Sequence, residues 1–273
     1  MSVIYSLFIR NLRDYTRDNI RLLVITLTPF AFIYVLSSIF KNQFASYSLS
    51  YLIAGVSIAT VFNTSLNVAS AVIDDIGSGF LKEILASPIS RLQVIMGHIL
   101  TGSTIATVQG FLIYLISMFT YLGFEEWHTI ILVFFSMVMV SFVYSTLGIL
   151  LAVTVKNFQT YQVVEQAVVI PLIFLSGAYL PISIFPWFLQ YISYLNPMTY
   201  TTMFFRGIVL EETMTNAEMV NIGIALDING FILTPLMSGL IVFLCGVLFM
   251  ILAIRSFQHA NFTSPQRSRK KRN

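Results

Sequence analysis

The sequence predicts an all-α protein that crosses a membrane several times, and its composition carries that prediction. Of its 273 residues, 57% are hydrophobic and only 10% are charged, whereas soluble domains carry about 25% charged residues. The uncharged runs are long and continuously apolar, which favours membrane helices over a β-barrel. This composition excludes a soluble enzyme, a disordered chain and a nucleic-acid-binding module. The single cysteine, Cys245, excludes a disulfide scaffold.

Each transmembrane helix needs about 20 apolar residues, and the uncharged runs supply six such segments. The predicted spans are 22–40, 51–73, 95–122, 129–153, 161–180 and 230–254. An even number of spans places both termini on one side of the membrane. That side holds all but two of the Lys and Arg residues, including those of the basic tail 255–273, while Lys41 and Arg206 lie opposite. Both termini are therefore predicted to be cytoplasmic.

The N-terminal segment 1–21 has the pattern of an amphipathic helix at a membrane interface. Its apolar residues recur at helical spacing and are Ile4, Leu7, Phe8, Leu12 and Tyr15. Such a helix lies in the cytoplasmic leaflet or offers part of its surface to a partner protein. The length of this polar segment also disfavours the alternative that the first span is a cleavable signal peptide.

The loop 74–91 between the second and third spans is longer than a connection requires, and it contains a short helix pattern. Its apolar residues Phe80, Leu81, Ile84 and Leu85 recur at helical spacing, and Pro88 would end the helix. A helix this short is not stable alone in water, so it must pack on something. The charges beside it suit the rim of a protein interface; packing on the lipid surface is the alternative.

The connection between the fifth and sixth spans begins with an aromatic, apolar stretch. Pro181, Pro186 and Pro197 divide it into pieces too short to span. The sequence predicts two short re-entrant helices within 181–210 that dip into the outer leaflet and are buried against protein. Arg206 would then lie at the external lip. An external cap resting on the membrane is the alternative.

Polar residues inside the predicted spans mark candidate pathway or packing positions. Glu165 is costly to bury unless it is hydrated, paired or protonated. Gln162 lies about one turn before it and Gln166 directly follows it, and the three are predicted to form one polar face. This polar face lines a water-filled cavity or holds a neighbouring helix by hydrogen bonds. In the second span the polar residues are Asn63, Thr64 and Asn67, for which interhelical hydrogen bonding is the commoner role.

Small and aromatic residues add two further expectations. Gly102, Ala106 and Gly110 form a small-xxx-small stripe that predicts close helix packing in the third span. Several aromatic residues lie beside the polar groups of the first, second and fifth spans, which makes them candidate pathway residues; packing or lipid contact is the alternative. They are Phe32, Tyr34, Phe62, Phe174 and Tyr179.

Motifs for catalysis are missing from the sequence. No glycine is followed by lysine, so there is no phosphate loop of the Walker type. His98, His128 and His259 are too far apart for a local metal motif, and Cys245 has no CxxC partner. The chain is therefore predicted not to be an enzyme, to bind no cofactor itself and to draw any energy from another protein.

Two stretches resemble the signature regions of ATP-binding-cassette (ABC) type-2 exporter permeases, with the daunorubicin-resistance and nodulation-factor exporters as the most similar group. They are GSGFLKEILASPISR at 77–91 and FLSGAYLPISIFPWFLQYISYLNPMTYTTMFFRG at 174–207. Chain length, six predicted spans and the amphipathic N-terminus fit the same family. One departure is Met203, which stands where relatives often carry an acidic residue.

The resemblance implies a half-transporter that forms a homodimer and pairs with two cytoplasmic ABC ATPase subunits, which bind ATP and Mg. The helix 80–86 would be a coupling helix that docks on the ATPase, and spans one and five would line the dimer seam. The implied ATPase contacts are Gly79, Phe80, Leu81, Lys82, Glu83, Ile84, Leu85, Ser87, Pro88 and Arg91. The implied external re-entrant residues are Pro181, Asn196, Pro197, Tyr200 and Arg206.

These observations together predict the permease subunit of an ABC exporter in the plasma membrane, in contact with lipid and not with nucleic acid. Alternating access would move hydrophobic or amphipathic cargo such as drugs, antibiotics or lipids outward, as in multidrug efflux. Export of a lipid-linked polysaccharide is the alternative within this class. A channel or membrane scaffold that uses no ATPase is the alternative from another class.

Overall fold

The computed structural model of the protein describes residues 3–43, 49–87, 89–119, 126–155, 157–210, 216–228 and 230–259. Most of these residues are helical. In chain order the elements are α1 (Val3–Thr16), α2 (Asn19–Gln43), α3 (Leu49–Val68), α4 (Ser70–Gly77), α5 (Phe80–Ala86), α6 (Arg91–Ser117), α7 (Trp127–Thr154), α8 (Phe158–Leu175), a 3-10 turn (Ile182–Ile184), α9 (Trp187–Leu195), α10 (Pro197–Val209), α11 (Asn216–Ile222), β1 (Leu226–Ile228), β2 (Phe231–Leu233) and α12 (Pro235–His259).

Within the described ranges, five helical segments are long and apolar enough to cross a membrane. They are α3 continued by α4, then α6, α7, α8 and α12. The prediction of a multi-pass helical membrane protein is thereby confirmed. The first predicted span, 22–40, falls in α2, whose described apolar stretch Leu22–Ser38 is shorter than a typical span. The sixth crossing stays a prediction.

Two predicted span boundaries are corrected. Helix α8 ends at Leu175 rather than at 180, because Gly177 adopts a left-handed conformation with φ of +81° that stops the helix. The last span begins at Pro235 rather than at 230, because the residues before it form a hairpin.

The hairpin adds two strands of three residues each to the described part of the chain, which is otherwise helical and agrees with the all-α prediction. Strands β1 and β2 pair antiparallel, with Leu226 opposite Leu233 and Ile228 opposite Phe231. The sequence between them is Asn-Gly, the strongest short hairpin signal, which directly adjoins the apolar run of the last span. Gly230 has φ of +87°, and its amide donates to the Asp227 carboxylate at 2.7 Å.

Helix α3 is the centre of the bundle and packs against α2, α6, α7, α8 and α10. The small-residue stripe of α6 permits this packing, as predicted. A Cβ at Gly110 would lie 2.2 Å from the Val61 side chain of α3, and one at Gly102 would lie 2.8 Å from Ser145 of α7. Helices α1 and α5 pack at the end of the bundle where α6 begins, which we call the α5 end; α9 and α10 lie toward the opposite end, the α9 end.

Candidate functional site

The short helix α5 follows a tight turn at the α5 end. Gly79 precedes it in the left-handed conformation, with φ of +83°, which a residue with a Cβ rarely adopts. The amide of Ser78 donates to the Asp74 carbonyl at 2.9 Å and so closes the end of α4. This turn sends α5 back across the end of the bundle.

One side of α5 is anchored in the bundle and the other is exposed. Leu81 is fully buried in an apolar cluster shared with α1, α4, α6, α7 and α12. It therefore holds α5 in place, and the prediction that it contacts a partner is corrected. Phe80, Ile84 and Leu85 are half-buried, whereas Lys82 and Glu83 are exposed.

Of the other residues predicted to contact the ATPase, Ser87 is exposed and Arg91 is bound within the chain. Ser87 is exposed and caps α5, with its amide donating to the Ile84 carbonyl at 3.1 Å. Arg91 is engaged within the chain, because its Nη1 donates to the carbonyls of Phe257 and Gln258 at 2.7 and 2.8 Å. A cation at this position suits the negative end of α12. Pro88 lies outside the described residues.

A polar cluster joins α1 to α4 at the α5 end. Arg10 of α1 forms a salt bridge and a hydrogen bond with the carboxylate of Asp75 in α4. The same guanidinium lies over the ring of Phe80, 4.0 Å from its centroid. Arg10 therefore contacts both sides of the turn that leads into α5.

Asn11 and His98 complete this cluster. Arg10 Nε donates to Oδ1 of Asn11 at 2.9 Å, and the amide nitrogen of Asn11 lies 3.1 Å from Nδ1 of His98. Because that amide nitrogen can only donate, Nδ1 of His98 accepts from it, and Nε2 of His98 lies 3.3 Å from Asp75 Oδ2. The cluster thus also includes α6, which carries His98.

Sequence reasoning missed this cluster, although a signal for it was present. The buried residues of α1 are Leu7, Asn11 and Tyr15, each four positions apart. A polar residue on an otherwise apolar stripe needs a hydrogen-bond partner when buried. The predicted stripe included Leu12 instead, which is half-buried beside it.

A cavity of about 170 Å³, the aromatic cavity, lies between α2, α3, α6 and α8. Its lining includes Thr28, Phe32, Asn63, Thr64, Gln109 and Tyr179. Thr64 donates to Oε1 of Gln109 at 2.9 Å, and Nε2 of Gln109 donates to the Ile25 carbonyl at 3.1 Å. Thr64 therefore joins helices, while Asn63 faces the cavity.

Two of the predicted aromatic residues, Phe32 and Tyr179, line this cavity, and a third, Phe174, packs on Tyr179. The rings of Phe32 and Tyr179 are stacked with centroids 5.5 Å apart and an interplanar angle of 14°. Phe174 meets Tyr179 edge to face at 5.4 Å. Such contacts are favourable geometries for aromatic pairs, and they place ring surface on one wall of the cavity.

A second cavity of about 290 Å³, the polar cavity, is lined by Ile25, Asn67, Ser70, Phe158, Gln162 and Glu165. Ile25 lines both cavities, so they are neighbours. The buried residues of α8 are Tyr161, Glu165, Val169 and Ile173, which places Glu165 on the inward stripe of this helix. Asn67, Gln162 and Glu165 are thereby brought together as predicted pathway residues.

Three other predicted pathway residues lie elsewhere. Phe62 is fully buried and packs edge to face on Tyr144 with centroids 4.5 Å apart. Tyr34 is 69% exposed on α2. Gln166 is exposed on α8 and does not line the polar cavity. The single polar face predicted for Gln162, Glu165 and Gln166 is therefore divided, because a step of one residue turns the side chain by about 100°.

Asn196 connects α8 to α10 at the α9 end. Its Oδ1 accepts from the Met198 amide at 2.9 Å and caps α10, and its Nδ2 donates to the Leu172 carbonyl at 2.7 Å near the end of α8. Pro197 occupies the first helical position, which suits its missing N–H. Tyr200 donates to the Tyr194 carbonyl of α9 at 2.5 Å.

Arg206 is 1% exposed, and its location at the external lip stays a prediction. Its guanidinium lies 3.4 Å from the centroid of the Tyr51 ring. Nη2 donates to the Ala178 carbonyl at 2.8 Å, and Nε lies 3.4 Å from the Tyr51 carbonyl that it donates to. Arg206 thus binds α10 to α3 and to the turn that carries Tyr179. Pro181, at the end of that turn, is buried and precedes the 3-10 turn.

Comparison with known proteins gives two kinds of match. The sequence model of the ABC-2 type transporter family matches residues 2–210. A chain from Cyanophora paradoxa that carries the name transport permease ycf38 is 31% identical over 154 residues, 56% of this chain and 53% of that relative. The inner membrane transport permease YadH of Escherichia coli K12 is 26% identical over 186 residues, 67% of this chain and 72% of that relative. The chain spans about half the length of the first of these relatives.

Proposed function

This chain belongs to the ABC-2 type transporter family, and on that premise we propose that it is the permease subunit of an ATP-driven exporter. A separate ABC ATPase would bind ATP and Mg and supply the energy. Two permease copies and two ATPase subunits would form the complex. The observation that carries this proposal is α5, a seven-residue helix held at one end of the bundle with an exposed polar face.

In this proposal α5 is the coupling helix. Its exposed residues Lys82, Glu83, Ala86 and Ser87 would contact the ATPase, while buried Leu81 transmits movement to the bundle. A small helix fixed through one buried side chain moves with the helices around it, because packed interiors transmit displacement. The contacts of Arg10 with Asp75 and Phe80 would add α1 to the moving unit.

Helices α2 and α8 would form the dimer seam. Both expose large apolar side chains, among them Leu23 and Leu27 of α2 and Val163 and Ile170 of α8. In a membrane protein, apolar side chains that are exposed on the single chain are covered by lipid or by another chain. A second copy at this face would place the aromatic and polar cavities next to the subunit boundary, where a passage would open.

The α5 end would face the cytoplasm and the α9 end would face outward, with both termini inside and the complex in the plasma membrane. The basic residues of the α5 side support this orientation. Helices α9 and α10 would be the external re-entrant helices. A place within the daunorubicin-resistance and nodulation-factor exporter group, with drug, antibiotic or lipid cargo, completes the proposal.

Affinity purification of the tagged full-length protein from native membranes in mild detergent tests the proposal. We expect recovery of an ATPase subunit with a GxxxxGK[ST] motif. The double variant Lys82→Glu/Ala86→Glu places like charge beside Glu83 on the exposed face and should abolish recovery of the ATPase without reducing membrane insertion.

The matched control is Ser183→Glu, which adds charge to an exposed residue at the α9 end and should leave ATPase recovery unchanged. Recovery of the wild-type protein without any ATPase would overturn the exporter proposal in favour of a channel or scaffold. Normal recovery with the double variant would move the docking site away from α5.

A further inference from the structure

We infer that a groove between α1, α2 and α6, the α1 groove, binds an acyl chain of one anionic phospholipid whose phosphate is held by Arg13 and Arg17. This lipid is a bound component of the protein and not its cargo, so the inference goes beyond the proposed export function. It follows from an open apolar groove that begins beside two exposed arginines.

The α1 groove is a cavity of about 140 Å³ with mostly apolar walls. Its lining includes Leu12 and Thr16 of α1, Leu22 of α2, and Val108 and Leu112 of α6. Val108 is 51% exposed and Leu112 is 47% exposed, so the groove is open along the outer side of α6. Because α6 is one of the membrane helices, the molecules that can enter from this side are lipids.

Two polar side chains in the wall of the α1 groove form their hydrogen bonds within the chain. Gln109 accepts from Thr64 and donates to the Ile25 carbonyl. The Thr16 hydroxyl donates to the Arg13 carbonyl at 3.1 Å. An alkyl chain in the groove leaves these bonds intact, whereas a polar ligand would lose its own hydrogen bonds to water without gaining equivalent ones.

The length of the α1 groove fits an acyl chain. Its wall on α6 extends from Thr104 to Leu112, eight residues and therefore about 12 Å along the helix axis. One leaflet contributes about 15 Å, half of the hydrocarbon core of a bilayer. The groove can therefore follow a chain through most of one leaflet.

The packing of α1 along α6 sets the position of the two arginines. A Cβ at Gly97 would lie 3.0 Å from the Leu7 side chain, and Tyr15 shares an apolar cluster with Ile105. These two contacts are eight residues apart on both helices. The last turn of α1 is therefore level with Ile105, near the end of the groove that Thr104 lines.

Both arginines are available to a phosphate at this end of the groove. Arg13 directly follows Leu12 and Arg17 directly follows Thr16, and both arginines are exposed. Neither has an ion-pair partner among the residues that the structure describes. A guanidinium binds a phosphate through two parallel hydrogen bonds, so the pair favours an anionic phospholipid over a zwitterionic one.

The aspartates of the same segment do not place a negative charge in the α1 groove. Asp14 lines a different cavity, on the side of α1 that carries Arg10 and faces Asp75. Asp18 interacts with another residue of the chain and does not line the groove. The end of the groove is therefore positively charged.

Two phospholipids with identical chains test the inference. Phosphatidylglycerol and phosphatidylcholine are titrated into the purified full-length protein in uncharged detergent, and native mass spectrometry counts the lipids bound per chain. We expect saturable binding of one phosphatidylglycerol with a Kd at least tenfold lower than that of phosphatidylcholine. Glycerol 1-phosphate, which has the charge but no chains, should not bind detectably.

A first pair of variants tests the contact with the headgroup. Arg13→Gln/Arg17→Gln should weaken phosphatidylglycerol binding by about fivefold for each arginine and leave phosphatidylcholine binding unchanged. Arg255→Gln removes an exposed arginine of α12, a helix that does not line the groove, and should change neither affinity. In detergent without lipid all these variants should unfold like the wild type, because the three arginines are exposed.

A second pair tests the chain site. Val108→Trp fills the groove from a half-exposed position and should weaken the binding of both lipids by about tenfold. Val247→Trp changes a valine of α12 that is 44% exposed, and it should bind both lipids like the wild type.

Several results would overturn the inference. They are equal affinity for the two lipids, binding of many lipids without saturation, binding of neither lipid, equal losses in the arginine double variant and Arg255→Gln, and unchanged binding in Val108→Trp. Binding of neither lipid would leave the groove to a segment of another protein. None of these results depends on recovery of an ATPase, so the exporter proposal stands or falls separately.

Discussion

The guanidinium of Arg10 lies over the ring of Phe80, with its central carbon 4.0 Å from the ring centroid, and so joins the N-terminal helix directly to α5. The salt bridge from Arg10 to Asp75 fixes the same guanidinium to α4. Three helices that are separate in sequence therefore share one cation. This contact and the apolar cluster around Leu81 both hold α5 against α1 and α4.

Replacement of Arg10 by Met should weaken the packing of α1 against α4 and α5, because Arg10 contacts Asp75 and Phe80. The variant keeps most of the side-chain volume but loses the ion pair and the cation–π contact, so we expect the free energy of unfolding to fall by about 1–2 kcal/mol. Denaturation in detergent measures the change. Arg13→Met alters an exposed arginine on the same helix and should have almost no effect. Equal losses in the free energy of unfolding in the two variants would show that the contacts of Arg10 with Asp75 and Phe80 do not contribute to stability.

Truncation of Leu81 to Ala should destabilise the protein more strongly than any change on the exposed side of α5. Leu81 is fully buried, and truncation of a buried leucine costs about 2–5 kcal/mol. Lys82→Ala, at the adjacent exposed position, is the control and should stay within about 0.5 kcal/mol of the wild type. A thermal denaturation midpoint for Leu81→Ala equal to that of Lys82→Ala would contradict the buried anchor.

Gly55 permits α3 to approach the turn after α8, so Gly55→Ala should be damaging. A Cβ at this position would lie 1.9 Å from the Ala178 carbonyl oxygen and 2.8 Å from Nη2 of Arg206. We expect a loss of about 1–3 kcal/mol or more, measured by thermal denaturation. A Cβ at Gly77 meets nothing within 4 Å, and Gly77→Ala should be neutral or slightly stabilising. A thermal denaturation midpoint of Gly55→Ala equal to that of the wild type would mean that α3 does not pack tightly against the turn after α8.

The two asparagine caps should respond differently to the same substitution. Asn196→Asp keeps the acceptor for the Met198 amide but loses the donor to the Leu172 carbonyl, and should cost about 1–3 kcal/mol because two acceptors then face each other. Asn157 caps α8 by accepting from the Thr160 amide at 2.8 Å. Asn157→Asp retains that bond and should be neutral or slightly stabilising. Similar denaturation midpoints for both variants would contradict the bridging role of Asn196.

The positions of most helices could be predicted from the sequence, because a membrane span is recognised from local apolarity alone. Helix Trp127–Thr154, for example, begins two residues before the predicted span 129–153 and ends one residue after it. The short helix Phe80–Ala86 was likewise marked by its spacing and by the glycines before it. Prediction failed where a local signal adjoined a stronger one, as at the Asn-Gly hairpin beside the last apolar run.

The direction in which a side chain points could be predicted only in part. Leu81 and Ile84 have the same apolar character and lie on one predicted face, yet only Leu81 is fully buried. Arg206 has the sequence context of a residue at a membrane surface but is covered by the Tyr51 ring and the turn after α8. Tyr51 is 155 positions from Arg206 and Ala178 is 28, and no local pattern contains the information that they cover its side chain.

The sequence by itself determined that the chain crosses the membrane in helices, because apolar runs bounded by charges leave the backbone no other way to form its hydrogen bonds in lipid. It also determined that Pro186 and Pro197 divide the stretch after α8 into short helices, since the backbone limits of proline are local. Only the tertiary structure decided which polar residues meet. Asp75 and His98 reach Arg10, and Glu165 shares a cavity with Asn67, because helix packing brings distant positions within a few ångströms.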